Sequence, residues 1–247
     1  WCFRQKRIKK LLAWAVYQRL ILGRADRVIA TSELERQNLS SRLKRTDIDL
    51  VPNVVVPEYV TELSSSERSR QFLYLGRLHP KKGVDVLLDA WVIAKLKGWM
   101  LIIAGEGSDV FERSLRAKIE TSGIGSSVEF VGDIRGESKS KIFSESRFFV
   151  LPTHSENFGR VILEAIQFGV PPIVTPESSW GFLKDRGAGI MINPKVESVA
   201  DALVGAAELS DSQYDLMRSM CGEVAADFSP KAIGLKYKNI YRSLNGV

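Results

Sequence analysis

THSENFGRVILEA, residues 153–165, sets two carboxylates, Glu156 and Glu164, eight positions apart with Gly159 between them. Just upstream, RFFVL (Arg147–Leu151) is a short apolar run that reads as a buried parallel strand. Downstream, Val161, Ile162, Ala165, Ile166 and Phe168 recur at helical spacing. The order is strand, loop, helix, with Glu156 in the loop and Glu164 on the helix. A helix that starts near Phe158 or Gly159 turns its unpaired backbone N–H groups toward the sheet edge, and a missing Cβ at Gly159 lets an anion approach that backbone closely. The stretch therefore predicts a phosphate seat. Glu164, about one and a half turns into the helix, is placed for the paired hydroxyls of a ribose.

A second unit of the same kind is GRLHPKKG (Gly76–Gly83), which follows the apolar run Phe72–Leu75 and precedes the helical pattern Val84, Leu87, Leu88, Trp91. Arg77 and Lys82 would present a guanidinium and an ammonium at the carboxyl end of that strand, a combination suited to a diphosphate. A lone KKG would be read as a solvated turn. Two phosphate-facing loops in one chain shift the reading toward a site.

The chain has 247 residues, 45% hydrophobic and 26% charged, with a formal charge of +6. Strands are predicted at Arg27–Ala30, Ile48–Val51, Phe72–Leu75, Met100–Ala104, Val128–Phe130, Phe148–Leu151, Pro172–Val174 and Gly189–Ile192, with helices between them. Three further helices are predicted at Val196–Leu209, Ser212–Asp227 and Pro230–Leu244. This alternation argues for an α/β fold with a doubly wound parallel sheet. No apolar run reaches the ~18 residues a spanning helix needs. His79 and His154, the two histidines, have no partner at metal-ligand spacing, so no metal is expected. Cys2 and Cys221 lie far apart and suggest a reducing compartment, hence a cytoplasmic location.

In this order, GRLHPKKG, IIAGEGS (102–108), VEFVGDI (128–134) and SENFGRVILEA (155–165) resemble the C-terminal, nucleotide-sugar-binding domain of the retaining GT-B glycosyltransferases, the glycosyl transferases group 1. Sucrose synthases and many bacterial transferases of lipopolysaccharide, capsule and exopolysaccharide synthesis are members of that family. The resemblance implies a GT-B type Rossmann-like domain that takes a UDP-, GDP- or ADP-sugar as donor and needs no further cofactor. It implies that Arg77 and Lys82 neutralise the donor diphosphate and that Glu164 holds the ribose. It further implies that Glu156 binds donor-sugar hydroxyls, with Glu156, Arg77 and Lys82 forming the catalytic set. The backbone at Gly76, Asn157, Phe158, Gly159 and Arg160 would cradle phosphate, Gly105 would shape the neighbouring loop, and Val131 to Ile134 would line the base pocket. Glu106 reads either as a ligand or as part of an ordinary strand-end turn, and His154 either as a sugar contact or as a structural loop residue. Where the family commonly has Gly after the strand Ile48–Val51, this chain has Val54, so no ligand role is carried onto Asn53. Trp180, in TPESSWGFL (175–183), either walls the sugar pocket or covers the core.

The resemblance divides the chain. Residues 1–56 match the tail of an acceptor-binding N-terminal domain, 57–70 a polar linker, 71–230 the nucleotide-sugar-binding domain, and 231–247 a terminal helix packing back toward the front piece. The expected activity is transfer of a hexosyl unit to a saccharide or lipid-linked acceptor. The alternative is a non-catalytic or partner-dependent nucleotide-sugar-binding subunit, because one architecture hosts several roles. The front helix carries Arg4, Lys6, Arg7, Lys9 and Lys10 ahead of Leu11, Leu12, Ala15, Val16 and Leu20. Its apolar face is expected to pack against the rest of the N-terminal domain, and its charges to favour an anionic membrane surface. Nucleic acid is not an expected partner, since no basic stripe interleaved with aromatics is present.

Overall fold

The structure, a computed structural model, describes residues 14–56 and 63–245. The basic run Arg4–Lys10 with Leu11 and Leu12, and the first part of the polar stretch 57–70, lie outside the described residues.

The front piece is a small parallel βαβ unit. Helix α1 (Arg19–Arg24), continuous with a π-turn at Trp14–Gln18, leads into β1 (Val28–Ala30), α2 (Glu33–Leu43) and β2 (Ile48–Leu50). Val28 pairs with Ile48, and Val28, Ala30 and Ile48 form a small core under the crossover helix. Ser32 caps α2 by accepting from the Glu35 N–H at 3.2 Å, and the Glu35 carboxylate accepts in return from the backbone and hydroxyl of Thr31. Val16 and Leu20, read as an apolar face, are exposed here.

The main sheet has six strands: β3 (Ser69–Leu75), β4 (Met100–Ala104), β5 (Val128–Gly132), β6 (Ser146–Leu151), β7 (Pro172–Val174) and β8 (Ile190–Met191). They run parallel in the order β5-β4-β3-β6-β7-β8. Parallel strands covered on both faces read as unbroken apolar runs, which is why LYL, MLIIA and FFVL were legible as strands. The helices that cover them bury one stripe each. In α3 (Val84–Ala94) the stripe is Val84, Leu87, Leu88 and Trp91, and in α6 (Arg160–Gln167) it is Ile162, Leu163, Ala165 and Ile166. Helices α4 (Asp109–Thr121), α5 (Gly136–Glu145), α7 (Val196–Ala207) and α8 (Asp211–Asp227) complete the layers, α7 packing on α3 and α8 on α6. Phe72 on β3 gathers Trp91, Trp99 and its cross-strand neighbour Phe148 around it, an aromatic cluster within the core.

From β3 the chain winds outward through β4 and β5, then crosses back to lay β6 on the other side of β3. The gap between β3 and β6 is the topological switch point, where loops diverge and leave a crevice at the carboxyl edge.

The polar stretch before the sheet is more structured than its composition suggests. Ser65–Glu67 forms a 3-10 turn closed by a Ser64/Glu67 capping box, and β3 begins at Ser69, inside the stretch read as a linker. Arg68 is 5% exposed and donates to the carbonyls of Phe143, Ser146 and Phe168. A single arginine that clamps three carbonyls is invisible among the surrounding serines and charges. Helix α9 (Pro230–Asn245) places Ile233 and Ile240 against Val51, with half-buried Val54 beside them, so the chain's end packs on the segment leaving β2.

Candidate functional site

Three loops meet at the carboxyl edge of β3, β4 and β6. The loop after β3 returns through a 3-10 turn, Pro80–Lys82, capped by the His79 imidazole, whose Nδ1 accepts from the Lys81 N–H at 3.0 Å. Gly83 follows with φ +71°, and a Cβ there would overlap the Pro152 carbonyl oxygen. Only glycine lets this loop lie so close to the one after β6. On the other side, Leu78 N–H donates to the Glu106 carbonyl at 2.8 Å and Gly76 N–H to Ala104 at 3.0 Å. A Cβ at Gly105 would overlap the Gly76 carbonyl oxygen.

The loop after β6 is held from below. Lys81 O accepts from both the His154 N–H (2.9 Å) and the Thr153 hydroxyl (3.1 Å), while Thr175 donates to Thr153 O at 2.6 Å. His79 and His154 therefore take part in holding the loops, the first through its ring and the second through its backbone. Lys82 Nζ, at the end of the first loop, donates to Glu156 Oε2 in the second, and each side chain is less than a fifth exposed. Glu156 Oε1 also accepts from the Asn157 N–H at 3.1 Å. Asn157 in turn reaches the front piece, its Oδ1 accepting from the Ser32 hydroxyl at 3.3 Å and its amide donating to Thr31 at 3.5 Å.

Gly159 precedes α6 with φ +73°. Its missing Cβ does not face a ligand, as the sequence reading expected. That position would lie 2.9 Å from Ile162 Cδ1, 3.1 Å from Glu156 Cγ and 3.4 Å from Trp180 Nε1. Glycine is required by the left-handed backbone and by this packing. Phe158 is buried against Trp180 and Phe228, and Trp180, 1% exposed, donates its indole N–H to the Phe158 carbonyl. Of the two readings of Trp180, the structure selects the core. It holds the shape of the loop from behind.

The residues picked out by sequence reach one edge of the sheet but divide between two cavities. Gly76, Arg77, Gly105, Glu106 and Ile134 line one, together with Asp133 and Arg135, which pair at 2.7 Å. Arg160 and Glu164 line the other, with Lys139 and Gly136 from α5 and Val55 from the segment after β2. Lys82 and Glu156 form their own pair at the switch point. Val131, expected in the base pocket, lies within β5 and packs on the core, because the chain turns toward the cavity only after Gly132.

Two side chains in these cavities escaped sequence reading. Lys139, the fourth residue of α5, places its Nζ 2.6 Å from Glu164 Oε2 on α6. Arg135 sits in the first cavity as the residue before α5. Neither stands in a motif: Lys139 is revealed by its ion pair across to α6, and Arg135 by its place in the first cavity. Tyr74, buried beneath the first loop, donates to Arg77 O at 3.1 Å, and burial pushes its phenol well up, aided by the negative charges of Asp85 and Glu156. It is a neutral strut at any ordinary pH. Among the described residues no group of three or more His, Cys, Asp or Glu side chains is placed to hold a metal, and no helix is long and apolar enough to cross a membrane.

Comparison with known proteins adds three likenesses. A GDP-mannose:cellobiosyl-diphosphopolyprenol alpha-mannosyltransferase from Xanthomonas oryzae pv. oryzae is 27% identical over 226 residues, 90% of this chain and 59% of the relative. Sucrose-phosphate synthase from Thermosynechococcus elongatus superposes with a TM-score of 0.78 at 23% identity, covering 99% of this chain and 63% of the other. HepE from Anabaena, solved with UDP and glucose, gives a TM-score of 0.76 at 18% identity over 92% of this chain and 65% of its own. At these identities the structural likenesses establish a fold, the GT-B glycosyltransferase architecture. This chain spans about three fifths of the length of the first two mannosyltransferases it matches. The family model for glycosyl transferases group 1 matches residues 55–223, from the segment after β2 to the last turns of α8, and by that match the chain belongs to the glycosyl transferases group 1 family.

Proposed function

We propose that this chain is the donor-binding part of a retaining glycosyltransferase that moves a hexosyl unit from a nucleoside-diphosphate sugar to a saccharide or lipid-linked acceptor in cell-surface polysaccharide synthesis. The observation that carries the reading is the Lys82–Glu156 pair at the switch point, flanked by two cavities that hold Arg77 on one side and Glu164 on the other. The named activities of the relatives, which include mannosyl transfer from a GDP-sugar to a diphosphopolyprenol-linked acceptor, support it.

In this reading the chain works by charge and position. Arg77, in the first cavity, and Lys82 meet the diphosphate and the charge that develops on the leaving nucleotide. The start of α6 adds backbone N–H groups at Asn157 to Arg160. Lys82 exchanges Glu156 for the diphosphate when donor arrives, and Glu156 then faces the sugar hydroxyls. Glu164, oriented by Lys139, takes the ribose diol, while Gly105, Asp133 and Ile134 frame the base.

Residues 14–56 fit the tail of an acceptor-binding domain, with Ser32 and Thr31 touching the sugar loop through Asn157. The acceptor then approaches from that side, at the inner face of a membrane when it is lipid-linked. Calorimetric titration of the chain with UDP, GDP and ADP, then with the matching sugar nucleotides, tests the proposal. Saturable, base-selective binding that Glu164→Ala weakens supports it. A folded chain that binds none of the three overturns it.

A further inference from the structure

Among the described residues, the largest group of unsatisfied buried polar atoms lies at the opposite, amino edge of the sheet. Arg68, immediately before β3, and Arg218, on α8, line an open cavity of about 570 Å³ with Gln167, Phe168, Gly169, Ser64 and Asp215. The Nε atoms of both arginines and the Oε1 of Gln167 are buried without a hydrogen-bond partner. Three carbonyls take the Nη groups of Arg68, but none carries a charge. Among the described residues the groups that act on this guanidinium are Tyr214, Arg218 and Cys221, with no carboxylate among them, and burial pushes its pKa down. Glu67, its neighbour in sequence, is committed to Ser64.

The two cations converge. The point where any residue other than glycine would carry its Cβ at position 169 lies 3.9 Å from Arg68 Nη2, and 3.7 and 3.9 Å from Nε and Nη2 of Arg218. Among the described residues Arg218 has one ion-pair partner, Asp215 at 3.6 Å, which is half exposed, and its Nη2 donates to Leu63 O at 2.8 Å. Capping the ends of α5 and α6 accounts for the carbonyl contacts of Arg68. It does not account for a second guanidinium drawn to the same point beside a buried charge that no carboxylate among the described residues neutralises, an arrangement whose free-energy cost an anion would relieve.

We propose that this cavity is an anion site for a phosphate group, with Arg218 as the contacting fork and Arg68 as the fixed charge behind it. Two guanidinium groups on one point call for an oxyanion with three acceptor oxygens and more than one negative charge, which phosphate offers and a carboxylate does not. The volume exceeds that of a bare ion, so the phosphate monoester of a small metabolite fits as well as free phosphate. The site lies at the far end of α6 from Lys82 and Glu156 and is independent of what binds there.

The test is calorimetric titration of the chain with inorganic phosphate and, separately, with glycerol 3-phosphate, at ionic strength held constant with chloride. Saturable binding is expected, about tenfold weaker in Arg218→Gln, whose loss removes a charge-assisted contact. Binding is expected to tighten in Asp215→Asn, where a competing carboxylate is gone, and the Arg218-dependent binding to persist in Lys82→Ala. A tighter monoester assigns the site to a phosphorylated metabolite, and equal affinities assign it to free phosphate. Heats no larger than those of chloride dilution, an affinity untouched by Arg218→Gln, or loss of the Arg218-dependent binding in Lys82→Ala would each overturn the proposal.

Discussion

Lys82 and Glu156, 74 positions apart in sequence, are ion-paired across the gap between β3 and β6. The pair ties together the loops after β3 and β6, and each charge compensates the other. Its two ends should therefore respond differently to substitution. Lys82→Ala is expected to weaken nucleoside-diphosphate binding by about tenfold, the worth of a charge-assisted contact. Glu156→Gln should leave it unchanged or tighter, because the ammonium is released, while transfer from the sugar nucleotide falls by about 10²-fold or more. Calorimetry with the nucleotide and turnover with the sugar nucleotide separate the two, and equal losses of nucleotide affinity in both variants would count against the exchange.

Glu164 and Lys139 offer a second comparison. Glu164→Ala should weaken UDP, GDP or ADP, whichever binds, by about tenfold and remove most of the preference over the 2′,3′-dideoxy nucleotide. Lys139→Ala, which frees the carboxylate to turn, should reduce that same preference less. A Glu164→Ala chain that still discriminates the dideoxy compound as well as the parent does assigns the ribose to another residue.

Gly83 and Gly159 test the backbone. Both have left-handed φ, but a Cβ at Gly83 meets a carbonyl oxygen whereas one at Gly159 meets side-chain atoms that can shift. Gly83→Ala is expected to destabilise the fold by more than the ~1–3 kcal/mol of a strained backbone alone, and Gly159→Ala by about that amount. Chemical denaturation of the two variants measures the order.

Trp180 predicts a stability effect with little effect on affinity. Trp180→Ala removes a side chain packed on Phe158, Phe182 and Phe228 and leaves the Phe158 carbonyl without its donor. A loss of about 3–5 kcal/mol is expected. A stable variant with impaired sugar-nucleotide binding would instead restore Trp180 to the ligand's surroundings.

Stability should also fall in alkali. Burial pushes the Cys221 thiol up to about 12 from 9.0 and the Tyr214 phenol up to about 12 from 10.0. The folded chain holds these protons more tightly than the unfolded one, so their contribution is whole below about pH 9 and is lost progressively as pH rises toward 12. Denaturation midpoints across that window check the sign. At neutral pH the buried Cys221, which donates to Ala188 O, should resist a thiol reagent in a Cys2→Ser background until the protein unfolds.

Much of this architecture was legible from runs such as LYL, MLIIA and FFVL, because a strand buried on both faces tolerates little but apolar residues. The loop glycines were legible too, although Gly159 was read for the wrong reason: sequence shows that a glycine is present, not which atoms occupy the space where its Cβ would be. Arg68 was lost in a polar stretch, since composition averages over neighbours and cannot single out the one side chain turned inward. Lys139 was lost because it contacts Glu164 through the packing of α5 beside α6, and nothing local to either helix announces it.

The linear order of residues thus determined which segments form strands and helices, where loops empty at the carboxyl edge, and which side chains with phosphate chemistry those loops carry. These depend on periodicity and on backbone conformations set within a few residues. Only the tertiary structure decided which charges are paired in the crevice, that Trp180 serves the core, and that two arginines converge at the amino edge of the sheet. Those depend on how elements tens of residues apart are brought within a few ångströms, where desolvation and Coulomb energy become large enough to matter.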